Sequence, residues 1–104
     1  MKENEEIDLL GTLTLYKKGG RMTPMWSGYW GAADVDGDLH SCGFLFDEKE
    51  LALGESCEAR MRFLFSSHEA FNVKTSVGAT LVMKEGVRSI GEFEVTEILN
   101  ASMV

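Results

Sequence analysis

The chain has 104 residues, with 17 acidic and 10 basic side chains and a formal net charge of −7 at pH 7. This length suits one domain with a single core and excludes large multi-part enzymes. No stretch approaches the roughly 20 apolar residues of a membrane span, which predicts a soluble protein. The acidic balance disfavours tight binding to the phosphate backbone of nucleic acids.

The N-terminus and the cysteine count predict a cytoplasmic protein. Residues 1–6 are polar and mostly acidic, and we expect a flexible end there, then a single domain at residues 7–100 and a tail at residues 101–104. The N-terminus lacks the apolar segment of a signal peptide. Two cysteines, Cys42 and Cys57, are too few for a disulfide scaffold, so both thiols are expected to be reduced.

Alternation of apolar and polar residues predicts β-strands along the chain. The first strand begins at Leu9 and ends at Tyr16. The clearest pattern covers residues 57–65, whose predicted core face carries Cys57, Ala59, Met61, Phe63 and Phe65. Further strands are predicted at residues 80–84 and 87–99, and Gly91 indicates a bulge or corner in the last.

Residues 47–53 are the one helical candidate, and a loop with a 3₁₀ turn is the alternative. Turns that contain glycine separate the predicted strands. Several short strands at such spacing are typical of a β-barrel or a β-sandwich.

Candidate metal-binding and catalytic residues form weak patterns. Residues 34–38 (DVDGD) begin like a calcium loop, but Leu39 and Leu45 occupy later key positions, so an acidic hairpin turn is the preferred interpretation. The ligands of a zinc site, or the residues of a thiol nucleophile, would have to be His40, Cys42, Cys57 and His68. The spacing of these residues matches no known zinc-binding motif. No phosphate-binding loop motif is present. We therefore expect no metal, cofactor, nucleotide or catalysis, and a small metal- or thiol-dependent enzyme is a remote alternative.

Two segments combine basic residues, glycines and apolar residues. Residues 16–29 place Lys17, Lys18 and Arg21 around a glycine pair, and residues 83–91 place Lys84 and Arg88 beside a glycine turn. The first segment is also expected to expose Met25, Trp26, Tyr29 and the following Trp30. These features predict a basic face on an acidic protein. The alternative is that the charges solvate turns and outer strand faces while the aromatic side chains pack in the core.

The same two segments resemble parts of a known family. Residues 18–24 (KGGRMTP), followed by Ser27-Gly28-Tyr29, resemble the glycine-glycine-arginine-histidine-threonine-proline segment and glycine-tyrosine pair of domain 3, the C-terminal β-barrel of translation elongation factor Tu. Residues 84–91 (KEGVRSIG) resemble the arginine-glutamate-glycine-glycine-arginine-threonine-valine-glycine hairpin near the end of that domain. The resemblance covers residues 9–99 in the correct order, with Met22 in place of the histidine and Val87 in place of a glycine.

The resemblance implies a six-stranded antiparallel closed barrel that stands without the GTPase and middle domains of the factor. In the family this domain is not catalytic; it helps to hold the T-stem of aminoacyl-tRNA and packs on the GTPase domain. We therefore expect a binding module linked to translation, whose partner is a protein, either a translation component or a recogniser of elongation factor Tu. The alternative is tRNA or other RNA binding through Arg21, Lys84 and Arg88. The residues expected to contact either partner are Lys18, Gly20, Arg21, Thr23, Lys84, Glu85, Gly86 and Arg88.

Overall fold

The computed structural model describes residues 6–104 and consists almost entirely of β-strands. The strands are β1 (Leu9–Leu15), β2 (Met25–Trp26), β3 (Trp30–Val35), β4 (Asp38–Leu45), β5 (Glu50–Leu51), β6 (Ser56–Phe63), β7 (Thr80–Glu85) and β8 (Arg88–Ile98), followed by a 3₁₀ turn at Ala101–Met103. Six strands close into an antiparallel barrel in the order β1-β6-β4-β3-β7-β8, and β2 pairs with β5 in a separate ribbon. The predicted all-β six-stranded closed barrel is therefore confirmed.

The barrel interior is filled by the alternate residues that the sequence pattern assigns to the core. Leu9, Leu13 and Leu15 point inward from β1, and Met61 and Phe63 are among the buried residues of β6. Phe65, which was also predicted on this core face, is 64% exposed. The prediction is wrong there because β6 ends at Phe63 and the chain turns, with the backbone N–H of Ser66 donating to the carbonyl of Phe63 at 3.2 Å.

The bulge predicted at Gly91 is confirmed. In the pairing of β7 with β8, Met83 lies opposite Gly91 but Lys84 lies opposite Ser89, so the register shifts by one residue. Gly91 also lies against β1, where an added Cβ would overlap the carbonyl of Thr14. Only glycine allows the two backbones to approach so closely at this point.

The helical alternative for residues 47–53 is wrong: the segment is an irregular loop, and it contains the short strand β5, which neither alternative included. Met25 pairs with Leu51, and both side chains are buried. The predicted exposure of Met25 is therefore also wrong. A helix of two turns is unstable by itself in water, and burial of the Met25–Leu51 pair stabilises the ribbon instead.

The acidic segment at residues 34–38 forms the turn of the β3–β4 hairpin, as the preferred interpretation predicted. Asp36 and Gly37 both have positive φ (53° and 90°), which is typical of a type I′ hairpin turn. The Asp34 carboxylate accepts a hydrogen bond of 2.8 Å from the backbone N–H of Gly37. This carboxylate therefore has a local structural role.

Residues 101–104, predicted as a tail, are packed against the barrel. Met103 is fully buried, and its carbonyl accepts a hydrogen bond of 2.8 Å from the backbone N–H of Thr75. The Asn100 amide donates to the buried carboxylate of Asp8 at 2.9 Å. The predicted flexible end lies outside the described residues, apart from the exposed Glu6.

The connections between strands lie at two opposite ends of the barrel, because neighbouring antiparallel strands alternate in direction. One end carries residues 16–29, residues 46–55 and the turn at residues 86–87, and we call it the ribbon end. The other carries the turn at residues 36–37, the loop at residues 64–79 and the end of the chain, and we call it the terminal end. The two segments that carry the family resemblance meet at the ribbon end.

Candidate interaction site

The loop after β1 lies directly on β8. The backbone N–H of Tyr16 donates to the carbonyl of Ile90 at 3.0 Å. Gly20 is buried, and a Cβ added to it would lie 3.1 Å from the Cα of Ile90. Arg88 holds the same loop from the other side, since its Nη1 donates to the Gly20 carbonyl at 3.4 Å. A side chain at position 20 would therefore crowd the β8 backbone, to which the loop is also hydrogen-bonded.

Arg21 connects this loop to the turn between β7 and β8. Its Nη1 donates to the Glu85 carboxylate in an ion pair. Its Nε donates to the Thr23 carbonyl at 3.1 Å, and its Nη2 donates to the Pro24 carbonyl at 3.1 Å and the Thr23 hydroxyl at 3.3 Å. Each guanidinium nitrogen thus has a partner within the chain.

Tyr29 completes the same cluster. Its hydroxyl donates to the Glu85 oxygen that Arg21 contacts, and the Arg21 Cζ lies 4.9 Å from the centre of its ring. Burial, followed by the hydrogen bond and charge of Glu85, raises the pKa of Tyr29 well above its ordinary value, and Arg21 acts in the opposite direction. The phenol therefore stays protonated as a donor. We call Arg21, Tyr29 and Glu85 the clamp.

The structure brings together the two segments in which the sequence predicted partner contacts. Lys18 and Thr23 are exposed in the first segment, whereas Gly20 is buried. In the second segment Lys84 is half-buried, and the predicted contact residues Gly86, which has a φ of 59°, and Arg88 are exposed. The two segments contact each other through the Arg21–Glu85 ion pair and the hydrogen bond from Arg88 to Gly20. The predicted basic face is thus interrupted by a carboxylate that compensates Arg21.

Large apolar side chains surround the clamp. Met22 is 88% exposed and Val87 is 97% exposed. Trp26 is also exposed, and its indole N–H donates to the Glu50 carboxylate at 3.0 Å. A groove of about 250 Å³ runs along Trp26 and is lined also by Arg21, Ser27, Gly28 and Tyr29. We call the surface formed by Arg21, Met22, Trp26, Tyr29, Glu85 and Val87 the clamp surface.

Sequence reasoning did not assign Met22 and Val87 to the predicted site. Both had been noted as departures from the elongation factor pattern, where a histidine and a glycine occupy these positions. Each departure places an apolar side chain in water. An apolar residue at a position where the elongation factor pattern has a histidine or a glycine is a feature that a sequence comparison can detect.

The four candidate metal or thiol residues do not come together. Cys42 lies inside the barrel, where burial raises its pKa to about 12, so its thiol stays protonated near neutral pH. Cys57 lies at the ribbon end of β6, and burial, then the charges of Glu48 and Glu58, raise its pKa to about 11. His40 and His68 lie at the terminal end. Within residues 6–104, no three His, Cys, Asp or Glu side chains are grouped to hold a metal ion.

Comparison with models of known protein families gives no match, and comparison with curated proteins gives no significant match. No helix in the described part of the chain is long and apolar enough to cross a membrane. The resemblance to domain 3 of elongation factor Tu therefore rests on the sequence motifs alone, chiefly those at residues 18–29 and 84–91.

Proposed function

We propose that the protein is a non-catalytic binding module, similar to domain 3 of elongation factor Tu, that binds a protein partner through the clamp surface. The partner is a translation component or a protein that recognises elongation factor Tu. The observation that carries this proposal is the exposure of Met22, Trp26 and Val87 around a clamp whose charges are compensated within the chain. Aromatic residues, methionine and arginine are enriched in the cores of protein interfaces, whereas lysine and acidic residues are depleted there.

The clamp supports binding by holding the surface in one conformation. The hydrogen bonds of Arg21 and Tyr29 to Glu85 connect the loop after β1, the start of β3 and the β7–β8 turn. Met22 follows Arg21 directly, and Val87 lies two residues after Glu85. A preorganised surface loses little conformational entropy when a partner binds, which favours affinity.

RNA binding through Arg21, Lys84 and Arg88 is the alternative. Phosphate contacts need cations that are open to the ligand. Arg21 uses its donors within the chain and Lys84 is half-buried, whereas Lys18 and Arg88 are exposed at the same end. The exposed Lys18 and Arg88 favour RNA binding, and the net charge of −7 opposes it. We therefore place the protein partner first.

An affinity capture experiment with matched variants tests the protein partner. Three forms of the full chain are immobilised on a resin and incubated with cell lysate: the wild type, Met22→Ser/Val87→Ser and Phe65→Ser. Phe65→Ser is the control, because it changes an exposed apolar residue at the terminal end. We expect the wild type and Phe65→Ser to retain the same translation-associated protein, and the double variant to retain about ten-fold less, as expected for a loss of about 1.4 kcal/mol. Equal retention by the double variant, or no protein above background, contradicts the proposal.

A gel-shift titration with bulk tRNA at low salt tests the alternative. RNA binding requires a complex that weakens steeply with added salt and on Arg88→Ala. If such a complex forms and the capture experiment recovers no protein, RNA replaces a protein as the proposed partner. If no complex forms at low salt, the RNA alternative is wrong.

A further inference from the structure

A cavity of about 490 Å³ opens at the terminal end of the barrel, opposite the clamp surface. Its lining includes His40, Phe65, His68, Phe71 and Val73. A smaller cavity of about 140 Å³ adjoins it and shares His40, Phe65 and Phe71 with it. The larger cavity alone lies within the range of volumes, about 300 to 1,000 Å³, that is typical of small-molecule sites.

Aromatic rings form the walls of this cavity. Phe71 and His40 line it and pack on Phe63, which lines only the smaller cavity: the Phe71 and Phe63 ring centres lie 5.8 Å apart at an interplanar angle of 47°, and the His40 ring meets Phe63 edge-on at 6.1 Å. Phe65 lies beyond the end of β6, has no place in the barrel core and remains mostly exposed beside the cavity. A planar ring that covers Phe65 would remove apolar surface from water and gain aromatic contacts. The walls therefore favour an aromatic ligand.

The polar residues of the lining are Asn72 and two histidines, His40 and His68. The Nδ1 of His68 accepts a hydrogen bond of 3.0 Å from the backbone N–H of Ala70, so the neutral ring carries its proton on Nε2 and offers a donor there. The ring nitrogens of His40 have no hydrogen bond to any residue among those described. Among residues 6–104 no carboxylate side chain lines the cavity, although Glu69 belongs to the same loop. The lining thus complements an acceptor or an anion.

We propose that this cavity binds a small planar aromatic carboxylate with one or two fused rings. The ring lies between Phe65 and Phe71, and the carboxylate accepts hydrogen bonds from the imidazoles of His40 and His68. The site is at the opposite end of the barrel from the clamp surface, so the two sites are tested separately.

A titration of the isotope-labelled full chain with 1-naphthoate, followed by NMR, tests the proposal. We expect saturable shifts in the amides of residues 63–73, with a dissociation constant of about 1 mM or lower, the value that ligand efficiency gives for a molecule of this size. Two matched compounds separate the contribution of the aromatic ring from that of the carboxylate. 1-Naphthylmethanol keeps the ring without the charge, and cyclohexanecarboxylate keeps the charge without the aromatic ring. Each should bind at least about three-fold more weakly.

Variants then assign the contacts. Phe65→Ala changes an exposed side chain and should weaken 1-naphthoate binding by about three- to ten-fold, and His40→Leu should weaken it similarly. Trp26→Ala, at the ribbon end, should leave the affinity unchanged. Amide shifts outside residues 36–42 and 63–73 should match the wild type in the two cavity variants, which confirms that they fold. The proposal is wrong if no shift saturates below about 10 mM, if the shifts lie at the ribbon end, or if 1-naphthylmethanol binds equally well.

Discussion

Arg21 and Glu85 form an ion pair across the ribbon end, and through it the loop after β1 is joined to the turn between β7 and β8. The Arg21 side chain is only 15% exposed and that of Glu85 is 32% exposed. The same carboxylate oxygen accepts the hydroxyl of Tyr29. One carboxylate thus joins two positions of the segment at residues 16–29 to the turn between β7 and β8, 64 and 56 residues later in the sequence.

Glu85→Gln should destabilise the protein. The change removes the negative charge that compensates the largely buried Arg21, and an amide replaces the acceptor shared by Arg21 and Tyr29. We expect the free energy of unfolding to fall by about 1 to 2 kcal/mol, the range for a partly exposed hydrogen bond between charged groups. Urea unfolding of the two proteins at pH 7 measures the difference.

The chain also offers a matched control for this variant. Arg60 and Asp47 form an ion pair of 3.4 Å in which the Asp47 side chain is 91% exposed. Asp47→Asn should change the free energy of unfolding by less than about 0.5 kcal/mol, because solvent screens exposed pairs. If the two variants lose equal stability, the clamp has no special structural role.

Tyr29→Phe should change how stability depends on pH above about pH 10. The folded state raises the pKa of Tyr29, so its contribution is fully present below the ordinary tyrosine pKa and is lost as pH rises toward the folded value. The wild type should therefore lose stability more steeply than Tyr29→Phe, by at most about 1.4 kcal/mol per pH unit for one group. Urea unfolding between pH 8 and pH 11 measures this slope, and both proteins retain the same thiols.

Tyr16→Phe is the control for the alkaline experiment. Burial, then the hydrogen bond and charge of Glu92, also raise the pKa of Tyr16, but its hydroxyl bonds Glu92 at an exposed position. Loss of the Tyr16 hydroxyl should reduce the pH dependence of the free energy of unfolding less than loss of the Tyr29 hydroxyl does. A larger effect from Tyr16→Phe would contradict the assignment of the strong perturbation to the clamp.

Both thiols should resist alkylation in the folded protein. Burial is the main reason that the pKa values of Cys42 and Cys57 are raised, to about 12 and about 11, so little reactive thiolate forms at pH 8. Iodoacetamide should modify neither cysteine at pH 8 in the absence of urea and both after unfolding, as measured by mass spectrometry. Fast modification of Cys42 in the folded state would show that the barrel opens at β4.

Gly91→Ala should be strongly destabilising. A methyl group at this position meets the backbone of Thr14 and Leu15, and backbone cannot move aside as the end of a flexible side chain can. We expect a loss of about 1 to 3 kcal/mol, as for other overpacked sites. Ser89→Ala on the same strand is the control and should stay within about 0.5 kcal/mol of the wild type in thermal unfolding.

Several features of the barrel were predictable because they depend on local patterns. The period-two alternation of β1 and β6 identified the inward residues, and Gly91 identified the bulge in β8. The pattern did not locate the end of β6, so Phe65 was assigned to the core. The short strand within residues 47–53 was not predicted because it depends on pairing with β2, about 25 residues earlier in the chain.

The fold class, the glycine turns and the two segments of the candidate interaction site follow from local patterns in the amino-acid sequence. How those segments meet depends on the tertiary structure, because closure of the barrel places Arg21 against Glu85, 64 residues apart in the sequence. The tertiary structure also decided that Met25 is buried and Met22 is exposed, and that His40 and His68 line one cavity without Cys57. These outcomes depend on which distant surfaces meet when apolar area is buried, and local alternation carries no information about that.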